Sequence, residues 1–388
     1  MADTRSRPPC DLILVSWNHL RYTQACLESL MQCTRFEEAR YRLLIVDNGS
    51  EPEVVDYLKG FQASHPHVEL ICNTEDLGWV RAVNQGIERS TAPYLCWLSN
   101  DLVFTDGWLT ALLDVAAAHP RIGVLNPSWK FHDETPETFQ QRIAGQSREG
   151  AVSYREVGEC NGACMLVRRD VIDRIGRLDD VYASGGLDDA DYSRRAAQAG
   201  FLCVQVNGAF VYHWENVSVN TMEGYWERER PQKRQIFEAR WGPPRSIAVV
   251  CDGPDAPVAG VEHPLETIVG LVRLGIRIQL FVLGGLRPSP SQLPPAWEPL
   301  EINHAELKVR WLGGWMGSLR CVAILASQRG KHEPKRFKSL VVLSSRGRRV
   351  LEGMRWLHGI PIVRSLAACP WITRELEWHR ALSAPGRA

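Results

Sequence analysis

Short apolar runs at Leu12–Val15, Leu43–Val46, Val68–Cys72 and Tyr94–Leu98 alternate with amphipathic stretches at Tyr22–Cys33, Glu53–Phe61 and Val80–Glu88. In the first of these stretches Leu27, Leu30 and Met31 repeat at helical spacing. Runs too short for helices, separated by helical patterns, predict βαβ units and a mainly parallel sheet. From Ser128 to Val157 the chain is polar and irregular, which predicts a long loop or a small subdomain. A strand at Ala163–Val167 follows, then a helix from about Asp188 to Ala199 that Gly200 stops, then a strand at Phe201–Val206. The charged and aromatic stretch Glu215–Arg234 predicts a mobile segment.

Trp241-Gly242-Pro243-Pro244-Arg245 is the strongest boundary signal, because Gly and Pro punctuate local structure. Beyond it the alternation restarts: strand Ile247–Cys251, helix Leu265–Leu274, strand Ile276–Val282, a Pro-rich loop to Pro299, and strands at Lys308–Leu312, Leu340–Leu343 and Ile360–Val363. The expected division is a domain at 1–242 and a smaller α/β domain at 246–388.

Composition narrows the function classes. The 388 residues carry 45 Lys+Arg against 45 Asp+Glu, so no net charge draws the chain to nucleic acid. The 11 Cys are an odd number, scattered singly and without a C-x-x-C pair; most sit in apolar runs, as small buried residues in a reducing compartment do. Met1–Cys10 has no apolar signal core, and Ile268–Leu286, the longest apolar stretch, is broken by Arg273 and Arg277. A cytoplasmic protein is expected, with at most a peripheral contact to a membrane.

Polar clusters follow the strands of the first half: Ser16-Trp17-Asn18, Asp47-Asn48-Gly49-Ser50, Asn73, and Ser99-Asn100-Asp101. Polar residues also simply terminate strands, and Asn48-Gly49 is a turn by itself. Four clusters in succession on one edge of a parallel sheet point to a ligand crevice instead. Neither G-x-G-x-x-G nor G-x-x-x-x-G-K-S/T occurs, so a bound nucleotide needs its phosphates neutralised in another way. Mg²⁺ or Mn²⁺ held by Asp101 is the candidate. A second cluster, Asp188-Asp189-Ala190-Asp191, stands at a helix start behind Gly185-Gly186. Capping explains one acid there. Three in four residues raise one another's pKa, as a general base requires. His213, at a strand end, is either structural or the completion of a metal site.

The stretches Leu12–Asn18, Leu43–Ser50, Asn73–Gly86, Tyr94–Leu109, Gly162–Arg169, Leu187–Gly200, His213 and Ile236–Gly242 together resemble the family 2 glycosyltransferases, over about Asp11 to Gly242. Rhamnosyltransferase-like bacterial enzymes are the nearest within that family. The resemblance implies a GT-A fold with a mainly parallel mixed sheet, and transfer of a sugar, with inversion, from a nucleotide-diphospho-sugar to a hydroxyl. The donor it implies is dTDP-rhamnose-like or a UDP-hexose, and the acceptor a glycan or lipid-linked glycan. It implies that Ser16 and Asn18 line the nucleotide pocket and that Asp47 binds base or ribose. Asn73, Gly78, Asn84, Asn100 and Gly162 would shape the donor site. Asp101 would be the metal acid of a D-x-D element, His213 would face metal and diphosphate, and Asp189, preceded by Asp188, would be the base. The sequence departs from the pattern at Ser99, where the first acid of D-x-D is expected, and at Asp188, where Glu is more common. The second domain more faintly resembles the N-terminal half of a GT-B glycosyltransferase, carried by Ile247–Cys251, Gly260-Val261-Glu262 and Gly275–Leu283. Only one Rossmann-like half fits, so an accessory role, in acceptor binding or dimerisation, or a truncated chain is expected. A nucleotidyltransferase would place a Gly-rich basic loop where Trp17-Asn18-His19 stands. A non-catalytic nucleotide-sugar or carbohydrate binder is the alternative that Ser99 motivates.

Overall fold

The computed structural model describes residues 9–36, 41–129, 134–144, 153–243, 245–252, 264–283, 304–312, 316–327 and 337–363. The chain divides into two compact units, 1–155 with 159–241, and 156–158 with 242–388.

The first unit runs β1 (Cys10–Ser16), α1 (Leu20–Cys33), β2 (Tyr41–Asn48), α2 (Pro52–Ser64), β3 (Val68–Asn73), α3 (Trp79–Arg89), β4 (Tyr94–Ser99), β5 (Leu102–Phe104), α4 (Trp108–Ala118), β6 (Ile122–Ser128), α5 (Pro136–Ala144), β7 (Ser153–Glu156), β8 (Cys164–Arg168), α6 (Arg169–Ile175), a 3₁₀ turn at Asp180–Tyr182, α7 (Asp188–Gln198), β9 (Leu202–His213), a π-helical turn at Tyr225–Glu229 and α8 (Arg230–Trp241). Its sheet has the order β3-β2-β1-β4-β8-β6-β9-β5, with β7 beside β9. β3, β2, β1 and β4 are parallel, β8 runs antiparallel between β4 and β6, and β9 is parallel to β6.

Every residue of β1 is buried, because helices cover both faces of a parallel sheet. Leu12, Leu14, Leu43 and Ile45 pack on one face with Leu27, Leu30, Leu58 and Leu112 of α1, α2 and α4. On the other face α3 comes so close that a Cβ on Gly86 would stand 2.2 Å from Cγ2 of Ile13, and Trp97 meets Tyr192 edge to face at 5.4 Å. The described cysteines form no disulfide, and most are buried, Cys72 being exposed.

Three elements depart from the expectation. α4 turns Asp114, Ala117 and Ala118 outward on one face, and because two of these are alanines its sequence shows only a weak amphipathic period. β6 carries Gly123 and Pro127, which read as strand breakers. The stretch 215–234 contains the π-helical turn and the start of α8, with Tyr225 and Lys233 buried, and at the end of α8 Arg240 and Trp241 both bond Oδ1 of Asp191. The polar stretch from 128 contains α5 and β7 where it is described.

The second unit contains β10 (Ser246–Cys251), α9 (Pro264–Arg273), β11 (Arg277–Val282), β12 (Leu307–Trp311), α10 (Gly317–Ala326), β13 (Ser339–Val342), α11 (Ser345–Gly353), α12 (Arg355–His358) and β14 (Ile362–Val363). Its five parallel strands take the order β12-β11-β10-β13-β14, the doubly wound arrangement of a Rossmann-like sheet. The Pro-rich loop to Pro299 and Gly260-Val261-Glu262 lie outside the described residues.

Candidate active site

Strand register brings the polar clusters level. Ser16 lies opposite Asp47, Asp47 opposite Cys72, Asn48 opposite Asn73, and Val15 opposite Ser99. A cavity of about 230 Å³ opens beside these carboxyl ends. Gly78, Asn100, Asp101, Gly162, Asp188, Asp189 and His213 line it, whereas Ser16, Asn18, Asp47, Asn73 and Asn84 are not among its lining residues.

The lining carries Asp101 and His213. β5 pairs antiparallel with the end of β9, Leu102 opposite His213, so the strand register itself brings the imidazole to the turn that bears Asp101. His213 Nε2 lies 3.3 Å from Asp101 Oδ1, and the Ser99 hydroxyl donates to the same oxygen at 2.5 Å. Burial works to raise the pKa of Asp101, but His213 and the Ser99 hydroxyl outweigh it and leave the carboxyl below its usual value. Ser99 therefore acts as a hydrogen-bond donor that holds the Asp101 carboxylate. Among the described residues no group of three His, Cys, Asp or Glu is positioned to hold a metal. Asp101 and His213 fit a divalent cation as a partial site, one carboxylate and one imidazole, which a phosphate-bearing ligand and water complete.

The lining also carries the acidic pair at the start of α7. Asp188 is buried and accepts from the Trp79 indole N–H at 3.1 Å and the Gly186 N–H at 2.7 Å. Burial, then the neighbouring Asp189, push its carboxyl up to about 7. Asp189 Oδ2 accepts the Gly162 N–H at 3.0 Å and Oδ1 its own helix's Ala190 N–H at 2.8 Å. Burial raises its pKa too, against those two donors and Arg230. Asp191, the third acid of the cluster, belongs to the scaffold: it is fully buried and bonded by Arg195 at 2.8 Å, Arg240 at 2.8 Å and Trp241 at 2.9 Å.

The residues outside the lining bond within the scaffold. Ser16 Oγ meets Thr23 Oγ1 at 3.3 Å. Asn18 accepts from the Glu51 N–H at 2.9 Å through its side chain. Asn73 donates to Asn48 and Gln85. Asn84 donates to the Leu178 carbonyl and accepts the Leu178 N–H, and so ties α3 to the loop before α7. Asp47 is fully buried; Oδ2 accepts the Ser50 N–H at 3.4 Å, and no hydrogen-bond partner is found for Oδ1.

Sequence reasoning passed over several lining residues. Asn48 donates to Asp76 at 2.5 Å, and Asp76 in turn accepts the Gly78 N–H at 2.8 Å, which fixes the lip formed by 76–78. Trp17, Trp79, Asn161 and Tyr225 also line the cavity. Asn161 is held by Asn126, which accepts the Asn161 N–H at 2.5 Å and donates to the Asn161 carbonyl at 3.0 Å. Only the position of Asn48 and Trp17 inside their polar clusters signalled a role.

The pattern of Glycosyl transferase family 2 matches residues 11–176. Glycosyltransferase AglE of Haloferax volcanii is 24% identical over 201 residues, 51% of this chain and 64% of that protein. The N-acetylglucosaminyl-diphospho-decaprenol L-rhamnosyltransferase of Mycobacterium tuberculosis is 26% identical over 236 residues, 52% of this chain and 75% of that one. A solved mannosyltransferase of Pyrobaculum calidifontis, in complex with GDP-Man and Mn²⁺, aligns at 16% identity with a TM-score of 0.44, over 56% of this chain and 59% of that one. Among the described residues no helix is long and apolar enough to cross a membrane. The matched stretch supplies β1 to β4 and the turn that bears Asp101, so it is through its first unit that the chain is similar to glycosyl transferase family 2.

Proposed function

We propose that the protein transfers a sugar, with inversion, from a nucleotide-diphospho-sugar to a hydroxyl of a glycan or lipid-linked glycan. The observation that carries this is one cavity whose lining holds two chemically distinct groups: Asp101 with His213, and the Asp188–Asp189 pair. A donor diphosphate belongs against the first group and an acceptor hydroxyl against the second. The rhamnosyltransferase relative supports a dTDP-rhamnose-like donor, with UDP-hexose as the other candidate. The acceptor named for that relative supports a lipid-linked acceptor, which would bring the protein to a membrane surface peripherally.

Asp189 acts as the base. Its two backbone hydrogen bonds fix the carboxylate, and burial, by raising its pKa, makes it a stronger base than a free carboxylate. The acceptor oxygen forms its bond to the anomeric carbon as the carbon–oxygen bond to the diphosphate breaks; the proton goes to Asp189 and the electron pair leaves with the diphosphate. Asp188, held by Trp79 and Gly186, keeps the start of α7 in place. Asp101 and His213 would hold Mn²⁺ or Mg²⁺, which supplies positive charge to the leaving diphosphate. The orphan Oδ1 of Asp47 offers an acceptor to a base or ribose.

Incubation of the protein with a panel of UDP-, dTDP- and GDP-sugars and glycan acceptors, with Mn²⁺, followed by mass spectrometry and NMR of the product anomer, tests the reading. A product of inverted configuration supports it, and a retained configuration overturns the single displacement. Ser99 in the place of an acid favours one second reading, a nucleotide-sugar binder without turnover. Calorimetric binding with no product on any acceptor would establish it.

A further inference from the structure

The start of α7 is an unlikely place for a chain to rest unaided: Gly185, Gly186 and Leu187 all have positive φ, at 88°, 90° and 74°. Two glycines adopt this freely, but a leucine does not. Something outside the loop must hold it, and the ammonium of Lys233 on α8 is placed to do so. Lys233 is only 6% exposed. Its Nζ donates to the Gly185 carbonyl at 2.7 Å, to Glu229 at 3.2 Å, and to the Ser184 hydroxyl, which in turn donates to Glu229. Tyr225 closes the cluster. Its ring lies 5.1 Å from the ammonium, its hydroxyl donates to the Gly185 carbonyl at 3.5 Å, and that hydroxyl sits where a Cβ on Gly186 would be.

We propose that Lys233 is a positioning residue for the acidic pair: it locks the Ser184–Gly185 turn that presents Asp188 and Asp189, and it supplies a fixed positive charge behind them. This rests on the reading of Asp189 as the base. A buried charge persists only when paired and hydrogen-bonded, and Glu229 is the pairing group. Burial pulls the Lys233 ammonium down, while Glu229 and Asp188 hold it up. The groups facing the pair are Arg230 beside Asp189, Tyr225 beside both acids, Tyr182 beside Asp188, and Lys233 itself. Of these, Lys233 and Arg230 are the cations, and of the two it is Lys233 that bonds the Ser184–Gly185 turn.

The test uses the full chain with Lys233→Met, Lys233→Arg and Asp189→Asn. Carboxyl ¹³C titration of Asp188 and Asp189, assigned with single Asn variants, reads the pair without any assay of activity. Lys233→Met should move the midpoint upward by about half a unit or more, and should lower kcat about tenfold or more with donor KM nearly unchanged. Lys233→Arg should bring the midpoint back toward that of the parent chain. A purely structural lysine would lower Tm and leave the midpoint where it was, and that result overturns the proposal. If Lys233→Met does not fold, Glu229→Gln serves: it leaves the ammonium without its nearest anion, so the midpoint should move downward, and an unmoved midpoint again overturns the proposal. Near-normal turnover in Asp189→Asn would remove the base assignment, while the titration still decides the role of Lys233.

Discussion

The backbone N–H of Gly162 donates to Oδ2 of Asp189 at 3.0 Å, and a Cβ added to Gly162 would stand 3.2 Å from Cβ of Asp189 and 3.6 Å from the same oxygen. The glycine thus both binds the acid and sets how close the β8 side of the cavity comes to α7. Gly162→Ala should push Asp189 back by a few tenths of an ångström and lengthen that bond. Displacements of this order cost roughly 3–30-fold in rate, since misplacement by a full ångström can cost 10²-fold. Steady-state kinetics beside calorimetric donor affinity check it: kcat should fall while nucleotide affinity, set at Asp101 and His213, holds. An unchanged kcat would show that Asp189 is not under positional control from β8.

Asp189→Asn should leave donor binding nearly intact and reduce kcat by about 10²–10⁴-fold, the usual worth of a general base. Turnover close to that of the parent chain would sink the assignment of this residue.

The pair also sets a pH dependence. Asp188 is raised from its unfolded value to about 7 and Asp189 is raised beside it, so the two titrate as a coupled unit. Activity, which needs the pair ionised, should rise with pH through an acid limb near neutrality. Stability runs the other way. A carboxyl whose folded pKa is raised binds its proton more tightly in the native state, so its contribution is complete below the unfolded pKa near 4 and is lost as pH rises through about 7. Asp188→Asn should therefore gain in Tm relative to the parent chain as pH rises from about 5 to 8. A difference in Tm that stays flat across that window would mean that Asp188 is ionised at low pH in the folded protein.

The βαβ half of the fold was legible because each strand is a short apolar run and the buried faces of α1 and α3 keep a helical period. α4 was not, because Ala117 and Ala118 put apolar residues on its exposed face and weaken the period. The site was legible wherever a polar residue follows a strand, since parallel strands of matched length must end together: hence Asp101, and Asp47 opposite Ser16. Which of those residues face the cavity was not legible. Asn73 and Asn84 satisfy the sequence pattern, yet their amides hold Gln85 and Leu178, a choice set by tertiary packing. Lys233 gave no signal at all, lying in a polar helix 48 residues beyond the Gly185 carbonyl it bonds.

In the group of Asp101 and His213, Asp101→Ala should weaken donor binding in the presence of Mn²⁺ or Mg²⁺, and EDTA should reduce activity. Ser99→Asp supplies the carboxylate that the site lacks and should tighten Mn²⁺ binding, measured by electron paramagnetic resonance titration. Unchanged activity in EDTA would leave Asp101 as a hydrogen-bonding residue that Ser99 and His213 hold in place.

The last expectation concerns the division of the chain. Every residue assigned to chemistry lies before Trp241, so a fragment ending at Arg245 should bind nucleotide-sugar, and should lose transfer if the second unit holds the acceptor. One detail bears on how the fragment behaves. The excursion 156–158 clusters with the second unit, where Glu156, 7% exposed, forms a paired ion bond with Arg273 at 2.6 and 2.9 Å. Cutting at Arg245 removes Arg273 together with the rest of the unit that Glu156 clusters with, so the carboxylate is left in water rather than buried and unpaired, and the lost pair costs little. The fragment should therefore keep the stability of its own core, and Glu156→Gln should change its Tm little. Tm by calorimetry and titration with UDP- and dTDP-sugars measure both effects. A monodisperse fragment that binds no nucleotide would place part of the donor pocket beyond Arg245 and overturn the assignment of the site to the first unit.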